Sequence, residues 1–215
     1  MFRGIEASCT KVYGSRDVKG KVIALQGVGA VGFNLAKILS ENGAKLFFTD
    51  INPNNIERMK EGLPDAEFVD NNDFYDLNCD IYAPCALGAT VNDETVERLK
   101  CKIVSGAANN QLKESRHGSI LRDRGILYAP DYLINAGGLM NVSIEFEGWS
   151  DTKARRMVDT IYSTTLDCFK MSDDLNIPVN KATDLLAERR LDSIKQIKGS
   201  YLGNHSHRFP GRKNQ

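Results

Sequence analysis

Glycines at positions 27, 29 and 32, placed directly behind the apolar stretch Lys21-Val22-Ile23-Ala24-Leu25-Gln26, leave this chain few folds to choose from. The run Gly27-Val28-Gly29-Ala30-Val31-Gly32 predicts a strand that ends in a tight turn and passes at once into a helix. Gly27 permits the turn, and Gly29 lets the backbone approach a pyrophosphate with no Cβ in the way. Gly32 lets the new helix lie close on its sheet. The helix N-terminus then offers unpaired N–H groups and a positive dipole end to phosphates. Glycine-rich turns occur in many loops. Here the strand before, the helix after and an acidic residue further on supply the context a dinucleotide site requires.

That acidic residue is Asp50, at the end of the apolar run Lys45-Leu46-Phe47-Phe48-Thr49. A carboxylate at the end of a second strand can accept both hydrogen bonds of an adenosine ribose diol and repels a 2′-phosphate. Ile51-Asn52-Pro53-Asn54 bring no Arg or Lys to neutralise such a phosphate, which favours NAD over NADP. The competing reading is an Asp that merely precedes the next helix, which Asn52-Pro53 can start equally well.

The chain of 215 residues is long enough for one well-buried α/β domain, or for a domain with a helical appendage. Lys and Arg total 28, as do Asp and Glu, so charge gives no argument for nucleic acid or an anionic membrane. No apolar run approaches the ~20 residues of a membrane span, and the first residues lack the apolar core of a signal peptide. Cys9, Cys79, Cys85, Cys101 and Cys168 are scattered without CxxC spacing and read as reduced thiols. The expectation is a soluble, cytoplasmic protein.

Along the chain, residues 4–13 predict a short helix closed by Gly14. Residues 33–41 predict a helix covering the sheet and stopped by Asn42-Gly43. Helices are also expected over 54–61 and from Asn92 or Asp93 to Leu99. Strands are expected at 67–69, 80–85, 102–106 and 125–130. Strands alternating with helices imply a doubly wound parallel sheet whose ligands bind beyond the carboxyl ends of the strands. Those ends hold the glycine turn, Asp50, the loop 84–88, Ala107-Ala108-Asn109-Asn110 and Asn135-Ala136-Gly137-Gly138. His117 reads as a loop histidine. After Gly148-Trp149 the pattern changes to charged, amphipathic helices at 151–172 and 180–198, separated by Asn176-Ile177-Pro178. The expected organisation is an NAD-binding α/β domain over 1–150, helices over 151–200 that clasp it or a neighbour, and a flexible tail over 201–215. His205 and His207 lie in that tail without a Cys or carboxylate pair nearby, so no metal site is expected.

The segments GKVIALQGVGAVG, CDIYAPCALGATVND, VSGAANNQLKE and ILYAPDYLINAGGLMNVSIE resemble the glutamate/leucine/phenylalanine/valine dehydrogenases, most closely their leucine branch. The resemblance runs from Gly4 to about Arg190. It implies a Rossmann-type domain that serves the NAD-linked oxidative deamination of an amino acid to its 2-oxo acid and ammonia. It also implies an active site in a cleft against a separate N-terminal substrate domain, and assembly as a symmetric oligomer.

Carried over residue by residue, the resemblance gives Gly27, Val28, Gly29, Ala30, Val31 and Gly32 to the pyrophosphate, and Asp50 with Ile51 to the adenine ribose. Cys85, Ala86 and Leu87 run beside the dinucleotide. Cys85 has no suitably spaced base, so it reads as a packed thiol rather than a nucleophile. Ala107, Asn109, Asn110 and Asn135 approach the nicotinamide end, although an Asn pair is also an ordinary turn. Val142 stands where glutamate-using relatives have a hydroxyl residue a few positions after the glycine pair, with Leu139 beside it. An apolar wall there leaves a distal carboxylate unpaired, which favours branched-chain or other apolar amino acids. One methylene is worth only ~1–3 kcal/mol, so leucine and valine are not separated. The family's carbonyl-polarising lysine and proton-moving aspartate belong to the N-terminal domain. The residues Phe2-Arg3-Gly4-Ile5-Glu6-Ala7-Ser8 resemble the hinge helix that follows it. No catalytic residue is therefore nominated here, and the alternative expectation is a non-catalytic NAD-binding or interaction module.

Overall fold

A computed structural model describes residues 1–146 and 150–201, so the tail reading beyond Tyr201, His205 and His207 included, lies outside the described residues. The chain divides into two compact units, Met1–Thr183 and Asp184–Gln215. The first opens with α1 (Phe2–Tyr13), β1 (Val22–Gln26), α2 (Ala30–Glu41), β2 (Lys45–Thr49), α3 (Pro53–Gly62) and β3 (Glu67–Phe68). It continues with α4 (Asn71–Phe74), β4 (Ile81–Pro84), α5 (Thr95–Arg98), β5 (Ile103–Val104), α6 (Arg116–Asp123) and β6 (Leu127–Tyr128). Then come α7 (Asp131–Ile134), α8 (Gly137–Phe146) and α9 (Asp151–Leu175). The described part of the second unit is helical, the continuation of α10 (Val179–Tyr201), with Leu191 and Ile194 exposed.

All six strands pair in parallel in the order β3-β2-β1-β4-β5-β6, the doubly wound sheet that the alternation of elements predicts. Successive strand residues face opposite sides, and both sides are covered. Ile23 and Leu25 of β1, Ile81 and Ala83 of β4 and Ile103 of β5 join one cluster with Leu35, Leu39, Phe48 and Met59. Ala24, Tyr82 and Val104, the intervening residues, join another with Phe74, Val96 and Leu121. Each fully buried Leu, Ile or Phe in such a layer stabilises the fold by about 1.5–3 kcal/mol.

Helix α9 packs along α1. Arg3 pairs with Asp159 at 2.8 Å, the Thr10 and Tyr162 hydroxyls meet at 2.9 Å, and the Arg16 guanidinium lies 4.7 Å over the Tyr162 ring. Ala7, Ala129, Ile134 and Phe169 make the apolar seam beneath. The close approach of α1 to α7 requires Gly4, where a Cβ would lie 2.4 Å from Ile134.

Several boundaries move. Helix α1 begins at Phe2 rather than at residue 4, and α2 begins inside the glycine run, at Ala30, rather than at Phe33. Helix α9 runs to Leu175, where Asn176 adopts the left-handed conformation at φ 54° and ends it. Asn92 caps the turn before α5 by accepting the N–H groups of Glu94 and Thr95. His117 is not a loop residue. It sits in the first turn of α6, fully buried, with Nε2 3.1 Å from Asp93 and Nδ1 at the Glu114 backbone. The segment 135–138 is likewise no plain loop: Asn135 ends α7 and Gly137-Gly138 open α8. Among the described residues no helix is long and apolar enough to cross a membrane, and none of the five cysteines is in a disulfide.

Candidate functional site

Parallel strands place their carboxyl ends on one edge of the sheet, and two clefts open there. The first, about 300 Å³, is lined by Gly27, Asp50, Ile51, Ala86 and Leu87, together with Thr49, Asn71, Tyr75, Thr90 and Asn92. The second, about 640 Å³, is lined by Val31, Ala107, Asn109, Asn135 and Leu139, with Tyr132, Gly137 and Gly138. The glycine run connects them, since Gly27 borders one and Val31 the other.

Each glycine of that run has a separate reason. Gly27 has φ 93°, and a Cβ on it would come within 2.5 Å of the Ala86 Cβ. At Gly32 a Cβ would lie 2.1 Å from the Gly27 carbonyl oxygen, so the first turn of α2 cannot close over the strand end with any larger residue. Gly29 differs from both: nothing lies within 4 Å of where its Cβ would be, and its φ of −61° suits any residue. It caps α2 without a side-chain bond to the helix N–H groups. Free helical N–H groups beside open space are an anion-binding arrangement, with the helix dipole adding about 0.3–1 kcal/mol. Ala30 and Val31, the next two residues, are exposed, Val31 at 60 %.

Asp50 braces this turn. Its Oδ2 accepts the Val28 N–H at 2.7 Å and the Asn55 amide at 3.2 Å, and its Oδ1 accepts the Asn52 N–H at 2.8 Å. Asn52 in turn caps α3 through the Asn54 N–H, so the carboxylate and the cap are distinct parts. A carboxylate offers about four acceptor sites. Three are already engaged, which leaves one for a ribose hydroxyl rather than the two expected from the sequence. Arg58 of α3 turns back to donate to the Val28 carbonyl and lies 4.7 Å over the Phe33 ring. Arg58 lies beyond the stretch 51–54 that directly follows Asp50 and was not foreseen. Its signal was the i, i+3 spacing of Asn55 and Arg58 on one helix face.

Val28 is fully buried and takes part through its backbone alone. Cys85 is half-buried at the end of β4; its N–H bonds the Gln26 carbonyl at 2.7 Å, and burial pushes its thiol up to about 11. Such a thiol stays protonated at neutral pH, which fits a packing role rather than a nucleophile. Thr49, Asn71, Tyr75, Thr90 and Asn92 were not foreseen as lining residues. Thr49 is buried with its hydroxyl unpartnered, and it faces the first cleft from the residue before Asp50.

In the second cleft Asn135 and Asn109 are joined, Nδ2 to Oδ1 at 2.6 Å. The bond occupies the Asn109 carbonyl, while the Asn109 amino group and the Asn135 carbonyl retain a donor and an acceptor for a ligand. Asn110 is left-handed at φ 52°, its backbone carbonyl accepts the Ala89 N–H at 2.7 Å, and its N–H donates to Asp131 at 2.7 Å. Leu139 is 77 % exposed at the cleft, whereas Val142, 47 % exposed one turn further along α8, does not line it.

Residues 47–199 match the family model of the glutamate/leucine/phenylalanine/valine dehydrogenases. The chain is 47 % identical over 202 residues to the leucine dehydrogenase of Thermoactinomyces intermedius, covering 94 % of this chain and 55 % of that protein. It is 40 % identical over 199 residues to the phenylalanine dehydrogenase of the same organism, covering 92 % and 54 %. Among solved structures, the L-tryptophan dehydrogenase of Nostoc punctiforme superposes with a TM-score of 0.87 at 40 % identity, over 91 % of this chain and 58 % of that one. The chain thus spans about half the length of the curated relatives it matches. With the doubly wound sheet, the glycine turn braced by an acidic residue and these matches in hand, the chain belongs to the glutamate/leucine/phenylalanine/valine dehydrogenase family.

Proposed function

We propose that this chain is an NAD-binding module of an amino-acid dehydrogenase: it holds the dinucleotide and presents its nicotinamide, and it does not itself supply the acid–base chemistry of deamination. The observation that carries this reading is the open approach at Gly29, between a glycine turn braced by Asp50 and the uncapped start of α2. Family membership supports the same cofactor. In this reading Gly27, Val28, Gly29, Ala30, Val31 and Gly32 follow the pyrophosphate, and Asp50 takes one ribose hydroxyl beside Ile51. Cys85, Ala86 and Leu87 flank the cofactor's middle. Ala107, Asn109 and Asn135 meet the carboxamide, and Asn110 acts through its backbone.

The second cleft, among the described residues, is lined by no Lys, Asp, Glu or His. Among these lining residues a hydride acceptor meets Tyr132, whose hydroxyl donates to the Asn180 carbonyl at 3.1 Å. It meets no carboxylate, imidazole or lysine among them to act as the general base that proton transfer needs within hydrogen-bond distance. When bound, the nicotinamide supplies hydride transfer. This chain's residues orient it and exclude water from one side.

A second reading is that the chain forms the cofactor half of a complete enzyme that deaminates an apolar, leucine-like amino acid, in an oligomer like those expected for the family. Leu139 at the open cleft favours it, as an apolar wall there disfavours a distal carboxylate. Titration with NADH, followed by nicotinamide fluorescence, tests the first reading; assay with NAD and leucine, valine, phenylalanine or glutamate tests the second. Binding without turnover by this chain is expected of both readings. Turnover with leucine by a natural polypeptide one domain longer supports the enzyme, and a natural polypeptide of this length that binds NADH without turnover supports the module. Absence of NADH binding contradicts both.

A further inference from the structure

We infer that Asp131 is the positioning residue for the nicotinamide end of the site, acting through the two asparagines rather than on the cofactor. The inference rests on the dinucleotide reading above and adds a residue to it.

Asp131 is the first residue of α7 and is only 6 % exposed. One carboxylate oxygen accepts the Asn110 N–H at 2.7 Å, and the other accepts the Tyr128 hydroxyl at 2.5 Å. The Tyr128 oxygen in turn accepts the Asp131 N–H at 3.3 Å. The backbone carbonyl of Asp131 accepts the Asn135 N–H at 2.8 Å. One residue thereby holds Asn110 by its side chain and Asn135 by its main chain. These are the flanks of the 2.6 Å amide pair between Asn109 and Asn135.

Asn110 needs such a hold because it is a non-glycine residue at φ 52°, a conformation that persists only where neighbours enforce it. The same bracket reaches the middle of the cofactor path. The Asn110 carbonyl accepts the Ala89 N–H at 2.7 Å, and a Cβ on Gly88 would lie 2.7 Å from the Asn109 carbonyl oxygen. A buried carboxylate is costly unless hydrogen-bonded. Here both its oxygens are bonded, one of them to the loop that carries Asn109 and Asn110 and the other to Tyr128 of β6.

The test compares NADH with ADP-ribose, which lacks the nicotinamide, on the same chain. Asp131→Ala is expected to weaken NADH by about tenfold, equivalent to about 1.4 kcal/mol, and to leave ADP-ribose within about twofold. Asp131→Asn, which keeps an acceptor for the Asn110 N–H, recovers part of the NADH affinity. Tyr128→Phe, which keeps the carboxylate but removes its orienting hydroxyl, gives a smaller loss in the same selective sense and serves if Asp131→Ala does not fold. Equal losses for both ligands, or none for either, overturn the inference. A parent chain that binds neither ligand overturns the dinucleotide reading itself, so the two failures are distinguishable.

Discussion

The two clefts at the edge of the sheet are built in opposite ways. The first is written in one contiguous stretch: strand, glycine turn, helix, strand and Asp50 lie within residues 22–50, and its critical contacts are backbone ones. The second is assembled from separated segments, with Asn109 in the loop after β5 and Asp131 and Asn135 at the two ends of the short α7. Backbone geometry secures the first cleft, so Gly27 and Gly32 tolerate no larger residue. Side-chain hydrogen bonds secure the second, so change there should alter ligand choice before it alters the fold.

The largest effect that would break this contrast is at Gly32. Gly32→Ala drives a Cβ to 2.1 Å from a backbone oxygen, and a backbone atom cannot swing aside. It is expected to cost about 3 kcal/mol of stability, the upper end for overpacking, read as a lowered urea midpoint. An unchanged midpoint would show that the turn is looser than its contacts imply. Next comes Asp50→Ala, expected to weaken NADH binding by ~1–3 kcal/mol, the scale of a lost charged hydrogen bond. Because Asp50 also braces the Val28 N–H, the same variant should lose some stability; unchanged NADH titration would sink the ribose assignment.

Asn135→Ala probes the other cleft. It should weaken NADH by about 1 kcal/mol while leaving ADP-ribose affinity and the urea midpoint close to the parent's. A matching loss for ADP-ribose would erase the distinction between the clefts. The smallest effect lies outside both, where Arg116 bonds Asp93 and Glu114 and holds their carboxyls below the usual range. A depressed folded pKa contributes stability that is complete above the ordinary value of 3.8 for Asp93 and is lost as pH falls through the lower folded value. Both carboxylates are exposed, so the contribution is small and screened by salt. Arg116→Ala should therefore lower stability slightly at neutral pH and leave it unchanged at pH below the folded values, so that the acid limb of a stability-versus-pH curve flattens.

The unequal construction also explains what the sequence reveals. The first cleft is legible because its requirements are steric: Gly27 and Gly32 announce themselves as the residues that alone fit. Parallel pairing follows from the alternation of elements, with β1, β2 and β4 apolar enough to stand out, whereas β3, β5 and β6 have two residues each. The short helices were not legible. Helices α4 and α7 have four residues each, barely one turn, too few for the hydrophobic pattern to repeat. Helix α6 begins in the polar run Glu114-Ser115-Arg116-His117, which reads as loop although His117 is fully buried. Asn109 and Asn135 were nominated only through family resemblance. Their pairing across 26 residues, and the role of Asp131 between them, leave no local signature. The share of Asp50 taken up by its own turn was also hidden, since backbone donors do not depend on residue type.

Gly29 gives the most direct test of the claim that the glycine run carries the dinucleotide. Gly27 and Gly32 are required by the fold, but Gly29 faces open space at an ordinary φ, so the protein alone gives no steric reason for a glycine there. Gly29→Ala should keep its urea midpoint within about 1 kcal/mol of the parent, the scale of a less favourable N-cap. Its NADH affinity should fall at least about tenfold, or about 1.4 kcal/mol, as the new methyl group occupies the pyrophosphate's approach. A variant that folds as well as the parent and binds NADH equally tightly would contradict the account.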